Sequence, residues 1–458
     1  MITEKLAHFV VETRMEDIPQ EALKVAQMGI TDCIGVTFPG SLEPQGEIIR
    51  GYVRKMGGVP VSSIIGSDWK TSPYLAALAN GTMGHALDYD DMGGFGGHPS
   101  VVLAPAVLAI GESIGASGKD ILTAYVIGFE VAACLSDPLL GSHYLRGWHS
   151  TDNFGSLGAG AAVARLLKLD VHQVRMVLGI AASLAGGLRQ NFGTMTKPLH
   201  AGQAAANGIQ AALLAQAGLT ADDSIIETPL GFAKVFGHDQ EVDWEKASEG
   251  LGKTFNITAL STNGIAIKPY PSCGCTHAGI DAALFLKKRY GMKSEDIAEV
   301  EMGTSPYEGQ VLIRHRPKSG LEGKFSLEYT VARALHSGEV KLRHFTDEGV
   351  REPAIKSLIE RMKWVEKYPL PTFGKQRDSI GTQSVTVKMA DGQEYSHEVR
   401  ISKGLPQKPL TSDELTSKYR DCASTVLSKE GVEKSLTMLS NLAGVKNIRE
   451  LMDTVTKK

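Results

Sequence analysis

"AGQAAANGIQAALLAQAG" (residues 201–218) repeats apolar side chains at three- and four-residue spacing, and most of them are alanine. That spacing predicts a helix with a buried face, and its small side chains predict neighbouring axes that come close. The same texture recurs in "QEALKVAQMGITDCIGVTF" (20–38), "PYLAALANGTMGHALDYDD" (73–91), "GKDILTAYVIGFEVAACL" (118–135), "FGSLGAGAAVARLLKL" (154–169) and "VHQVRMVLGIAASLAGGL" (171–188). The chain holds 50 glycines in 458 residues, many inside these segments. Each glycine within a helix costs about 1 kcal/mol, so close packing has to offset the loss. Roughly the first 260 residues therefore read as a dense all-helical bundle.

Near residue 263 the texture changes. "IAEVEMGTSPYEGQVLI" (297–313) and "SVTVKMADGQEYSHEVRI" (384–401) alternate apolar and polar residues, as half-buried strands do. Helical patterns flank them: "HAGIDAALFLKKRYG" (277–291), "SLEYTVARALHSG" (326–338) and "EPAIKSLIERMKWV" (352–365). After "SKGLPQKPL" (402–410) the chain reads as helical again. The expected fold is mainly α. Residues 1–262 and 400–458 form a large helical domain from both chain ends, and 263–399 form a smaller α+β domain.

Hydrophobic residues make up 42% of the chain and charged residues 22%, with a net charge of −3. That composition is globular and offers no basic field for nucleic acid. Five scattered cysteines suit a reducing compartment, and the charged start "MITEKLAHFVVETRMEDIP" lacks a signal-peptide core. No uninterrupted apolar run approaches the ~18 residues of a membrane span. A cytoplasmic protein with no membrane partner is expected.

Several motifs fail on inspection. "EGLGKT" (249–254) mimics a phosphate loop, but Ala247 stands where the first glycine is needed. "CGCTH" offers Cys273, Cys275 and His277 without a second cluster to close a zinc site, so no metal is expected. "DYDD" (88–91) resembles the proton-donating run of terpene cyclases, yet aromatic residues are only 6% of the chain, too few to line a carbocation cavity.

Five stretches concentrate His, Lys, Asp and Tyr. They are "HALDYDDMGGFGGHPS" (85–100), "YLRGWHST" (144–151), "QNFGTMTKPLHAG" (190–202), "IKPYPSCGCTH" (267–277) and "KFSLEYTVA" (324–332). With their surroundings they resemble successive blocks of the MmgE/PrpD family, in order over nearly the whole chain. That family includes 2-methylcitrate dehydratase, cis-aconitate decarboxylase and iminodisuccinate epimerase. The resemblance implies a helical domain with an α+β lid, a site between them, a homodimer, no cofactor and a small polycarboxylate substrate. Asp88, His98, His149, Lys197, Lys268 and Tyr329 fall on the residue types of the decarboxylase's site. Where that branch has threonine, four residues after the first Asp, this chain has Met92.

The chemistry shared by such enzymes begins or ends at a carbon beside a carboxylate. Without a metal it needs cationic donors for the developing enolate and a base near the carbon. The expected catalytic set is Asp88, His98, His149, Lys197 and Tyr329, with Lys268, His277, Tyr144, His200 and Met92 binding substrate. Asp88 either orients His98 or a lysine, or acts as base itself. Asp90 and Asp91 read as structural carboxylates that cap or pair with nearby cations, and the glycines of 93–97 as main chain passing close to substrate. Dehydration leads the expected reactions, ahead of epimerisation and decarboxylation. A helical scaffold that has lost its chemistry is the non-enzymatic alternative, opposed by the joint presence of the six matched residues.

Overall fold

In the computed structural model, which describes residues 1–237, 241–261, 263–370 and 381–457, helix Thr196–Gln216 packs between Pro73–His85 and Ser150–Leu166. The helices meet backbone to backbone. A Cβ on Gly202 would stand 2.2 Å from the Leu78 carbonyl oxygen, and one on Gly208 would stand 2.5 Å from the Gly160 nitrogen. Gly128 and Gly158 make the same kind of crossing between Gly118–Leu145 and Ser150–Leu166, where either Cβ would come within 2.7 Å of the other residue's carbonyl. The small residues of the sequence thus mark crossings that admit no side chain, and the close approach restores dispersion contact that glycine alone forfeits.

Gly118–Leu145 is long and apolar enough to cross a bilayer, although no uninterrupted apolar run suggested it; 89% of its apolar window is buried inside the protein. The C-terminal helices Ser412–Ala423 and Lys429–Ser440 pack on Gln20–Gly40, and Ile448–Met452 packs on Ser100–Ile114. Main-chain bonds fasten this contact, among them Gly66 N–H to Val455 O at 2.9 Å and Ile448 N–H to Ala116 O at 2.8 Å.

The chain is mainly α, with one four-stranded sheet among the described residues, in the order Met362–Glu366, Ile297–Thr304, Gln383–Met389, Glu394–Val399. The first pair is parallel and the others antiparallel. His277–Tyr290 covers the last two strands and packs on Leu327–Ser337.

Three expectations change in detail. The strand expected over 297–313 stops at Thr304, and Pro306–Val311 is helical because Ser305 caps it with Glu308 in a reciprocal box. The helix expected over 352–365 ends at Glu360, and Met362–Glu366 is the parallel edge strand. The helical texture ascribed to the first 260 residues thins after Gln216, where only short helices such as Phe232–Gly237 and Trp244–Ala247 interrupt turns. The boundary residue 262 lies outside the described residues.

A two-residue antiparallel pairing positions the site. Met92 pairs with Ala266 and Gly93 with Ile265, so the loop after Pro73–His85 is tied to the start of the α+β stretch.

Candidate active site

Pro73–His85 ends at His85, and the chain turns at Asp88, whose φ of +50° lies in the left-handed region. Aspartate tolerates that region better than most side chains. The glycines that follow serve contacts different from those expected. A Cβ on Gly94 would meet the Phe129 ring at 2.7 Å, and one on Gly96 would meet Leu140 at 2.3 Å. The loop is therefore pressed against the helix Gly118–Leu145, and its outer side still lines the cavity described below. Asp90 and Asp91 have structural partners, as expected, but they are buried and not at the surface. Asp91 accepts from the backbone N–H of Ser100 at 3.0 Å and from its hydroxyl, which satisfies the start of Ser100–Ile114.

Lys197, in the first turn of Thr196–Gln216, extends into this loop. Its ammonium lies 2.7 Å from Asp88 Oδ1, 2.8 Å from His85 Nε2 and 3.4 Å from His98 Nε2, so its three protons face three acceptors. Lys268 Nζ is 3.2 Å from the same Asp88 oxygen and donates to the Asp88 carbonyl at 2.9 Å. Burial by itself would raise the Asp88 carboxyl, but Lys197 and then Lys268 outweigh it and hold the acid well below the usual range. Asp88 is thus a carboxylate placed to orient Lys197, and the lifted pKa that a base role for it calls for is not found.

Asp90 fixes the imidazoles. His85 Nδ1 is 2.8 Å from Asp90 Oδ1, while His98 Nδ1 is 2.9 Å from the Asp91 carbonyl and 2.9 Å from Asp90 Oδ2. A carbonyl only accepts, so His98 carries its proton on Nδ1, and Nε2 is left to face Lys197. Burial, followed by the Lys197 charge, lowers His98 below the ordinary imidazole range. Burial takes His85 to about 3. At neutral pH His98 therefore presents an Nε2 lone pair.

A cavity opens beside this cluster. Met92, His98, Tyr144, His149 and Lys197 line it, together with Phe192, Phe325 and the Cys273–Cys275 turn. The Phe192 and Phe325 ring centroids each lie 5.2 Å from the Lys197 ammonium, within reach of a cation–π attraction. Tyr144 is covered by the Arg189 guanidinium at 3.8 Å. His149 Nδ1 faces His200 Nδ1 at 3.0 Å, so one ring donates to the other.

The other expected residues stand elsewhere. Asp88 and Lys268 lie behind Lys197 and do not line the cavity, so Lys268 reaches the site through Asp88. His200 supports His149 from behind. His277 Nε2 meets the Ser272 carbonyl at 3.1 Å, and burial takes this ring to about 3. The Tyr329 hydroxyl donates to the His344 carbonyl, and its ring packs on Phe345, away from the cavity. Its position inside Leu327–Ser337 turns it into that helix's own packing, which matching residue types did not reveal.

Sequence reading missed His85. Its signal was its place three residues before Asp88, which puts it on the last turn of the preceding helix. It also weighed ligand-type residues only in the 273–277 run and expected no metal. His85, Asp88, Asp90 and His98 present ligand-type atoms within 4.8 Å of one another, unlike the 273–277 run first considered. The Lys197 ammonium touches three of these four residues, so a positive charge already occupies their focus.

Comparison with known proteins places this geometry. Residues 4–245 match the MmgE/PrpD N-terminal domain and residues 270–443 the MmgE/PrpD C-terminal domain. The chain is 26% identical over 455 residues to cis-aconitate decarboxylase of Mus musculus, covering 96% of this chain and 90% of that one. It is 28% identical over 478 residues to a cis-aconitate decarboxylase-like protein of Aspergillus oryzae, covering 99% and 97%. To the mitochondrial 2-methylcitrate dehydratase of Yarrowia lipolytica it is 23% identical over 392 residues, covering 80% and 72%. With both domains matched in order along the chain, this protein belongs to the MmgE/PrpD family.

Proposed function

We propose that the chain is a cofactor-independent lyase acting at the carbon next to a carboxylate of a small di- or tricarboxylic acid, with dehydration of a 2-methylcitrate- or citrate-type acid as its reaction. One observation carries this reading. An ammonium held by Asp88 and an imidazole lone pair on His98 stand 3.4 Å apart on one cavity wall. The Lys197 proton that faces His98 over the longest of its three contacts turns to a substrate carboxylate, which frees the Nε2 lone pair and meets the charge that develops as the proton on the neighbouring carbon leaves. His98 Nε2 removes that proton, and the electron pair forms the new C=C bond as the β-hydroxyl departs. The imidazolium so formed on His98 hands its proton to the leaving oxygen, which departs as water, while neutral His149, the other imidazole on the wall, steadies that oxygen with a hydrogen bond. Family membership supports an enzyme; the coverage of the relatives supports a polycarboxylate substrate.

Decarboxylation is the second reading, favoured by the names of the relatives that align over nearly the whole chain. Met92 speaks against it: a thioether lines the cavity at the position where resemblance to the decarboxylase branch calls for a hydroxyl. A site that pairs a polar group discriminates strongly against loss of that partner. We further propose the two-domain division with a lid, a homodimer and a cytoplasmic location.

Proton NMR in heavy water with citrate-, malate-, aconitate- and aminosuccinate-type acids tests the reading. New alkene signals from a hydroxylated acid are expected. Carbon dioxide loss from aconitate assigns the second reading, and deuterium entry without net change assigns epimerisation. No change in any of the acids refutes the proposal.

A further inference from the structure

Three consecutive carbonyls around the Asp88 turn each receive a buried ammonium. Lys324 Nζ donates to Leu87 O at 2.7 Å and to Pro271 O at 3.0 Å. Lys268 Nζ donates to Asp88 O at 2.9 Å. Lys418 Nζ donates to Tyr89 O at 2.7 Å and to Lys268 O at 3.0 Å. The lysines come from separate places in the fold: the loop after Ile265–Ala266, the end of Gly320–Gly323, and the C-terminal helix Ser412–Ala423. Their relative exposures are 0%, 3% and 7% respectively for Lys268, Lys324 and Lys418.

Burying an ammonium is expensive, and carbonyl oxygens repay the loss only in part. Lys268 has the Asp88 carboxylate and Lys418 has Asp32 at 2.7 Å. Among the described residues no carboxylate forms an ion pair with Lys324, whose companions are carbonyls and the Phe345 ring at 4.6 Å. Apolar side chains would fill such positions at lower cost if packing were the only need. What the three share is the Leu87–Tyr89 backbone, which carries the only left-handed non-glycine residue near the cavity among those described. Aspartate tolerates the left-handed region without favouring it, so the turn depends on partners for its main chain.

We propose that Lys324 and Lys418 are positioning residues. By fixing the carbonyls on either side of Asp88, they keep its carboxylate aimed at Lys197 and so set where that ammonium stands on the cavity wall. Neither lines the cavity, so both act through Asp88. The proposal rests on the reading of Lys197 as the group that meets substrate, and it ties the C-terminal helix to the chemistry.

The test uses Lys324→Met, and Asp32→Asn with Lys418→Met so that no carboxylate is left alone. Crystal structures of the full-length variants are expected to show Asp88 out of the left-handed region and its contact with Lys197 broken. With citrate and cis-aconitate as probes, kcat is expected to fall at least ~10-fold while KM stays within about threefold, the mark of lost orientation and not of lost binding. Variants that keep both the Asp88 turn and kcat overturn the proposal. Variants that do not fold overturn it too, since the lysines are then structural. Should the native protein leave both probes unchanged, the proposed function fails while the crystal structures still decide this one.

Discussion

Asp88→Asn is the sharpest perturbation available, because it changes charge and hardly changes shape. The native carboxylate neutralises one of two ammoniums, with Lys197 at 2.7 Å and Lys268 at 3.2 Å from the same oxygen. All three side chains are nearly or fully buried. Removing one partner of a buried ion pair costs about 3–5 kcal/mol, and an amide oxygen that still accepts returns about 1, so a net loss near 2–4 kcal/mol is expected at pH 7. The pH dependence has a definite sign. The native Asp88 pKa is depressed, so its contribution is present above the unfolded value of about 3.9 and fades as pH falls through the folded value. The variant has no such group. Its deficit is therefore flat from about pH 5 to 7 and narrows below about pH 4. Urea unfolding followed by tryptophan fluorescence at a series of pH values measures it. Turnover should fall at least ~100-fold at pH 7, as for loss of a group that organises the oxyanion donor. A deficit below about 1 kcal/mol, or one that widens on acidification, would refute the ion-pair account.

The remaining predictions probe other parts of the site. Lys197→Ala should lower turnover at least ~100-fold. With the ammonium gone, the variant should also bind zinc through His85, Asp88 and His98, which titration calorimetry against the native protein would detect. Gly202→Ala drives a Cβ to 2.2 Å from the Leu78 carbonyl and 2.3 Å from Thr82 Oγ1. It should cost at least about 2 kcal/mol in unfolding experiments, with activity falling as well because Lys197 and His85 ride on the two helices forced apart. Cys273 lines the cavity, and its thiol is made more acidic by its bond with Cys275 and, against the effect of burial, by Lys268. Iodoacetamide should label it and block turnover, and a bound polycarboxylate should slow the labelling; labelling without loss of activity would place the thiol outside the substrate's path.

The helical part was legible because its cause is local. Glycine and alanine at three- and four-residue spacing have one economical use, and the crossings at Gly202, Gly208 and Gly128 are that use. The edge strand Met362–Glu366 was not legible, since a run such as "RMKWV" becomes a strand only when Ile297–Thr304 lies beside it. In the site, residues that reach the cavity from helix ends and loops were found from their types: His98, His149, Lys197 and Tyr144 all line it. Tyr329 and His277 carry equally suitable groups, yet their side chains end on the main-chain carbonyls of His344 and Ser272. Nothing in a sequence distinguishes a tyrosine that meets a ligand from one that meets a carbonyl fifteen residues away.

The least visible residues are those that decide protonation. Asp90 read as a structural turn carboxylate, but its Oδ1 faces His85 Nδ1 and its Oδ2 lies 2.9 Å from His98 Nδ1, whose proton goes to the Asp91 carbonyl, so both rings hold their protons on Nδ1. Burial would push its carboxyl up, and the contacts with the two rings hold it well below the usual range instead. Both Nε2 atoms then converge on Lys197, so one carboxylate orients the base while its neighbour Asp88 orients the cation. A single tight turn thereby serves two groups: Asp88 faces the lysine ammonium, and the histidine stays neutral because burial and that lysine charge both oppose a second proton. Separating a base from a cation by 3.4 Å without neutralising either is what abstraction beside a carboxylate demands, and the buried layer of Asp88, Asp90 and three lysines maintains that separation.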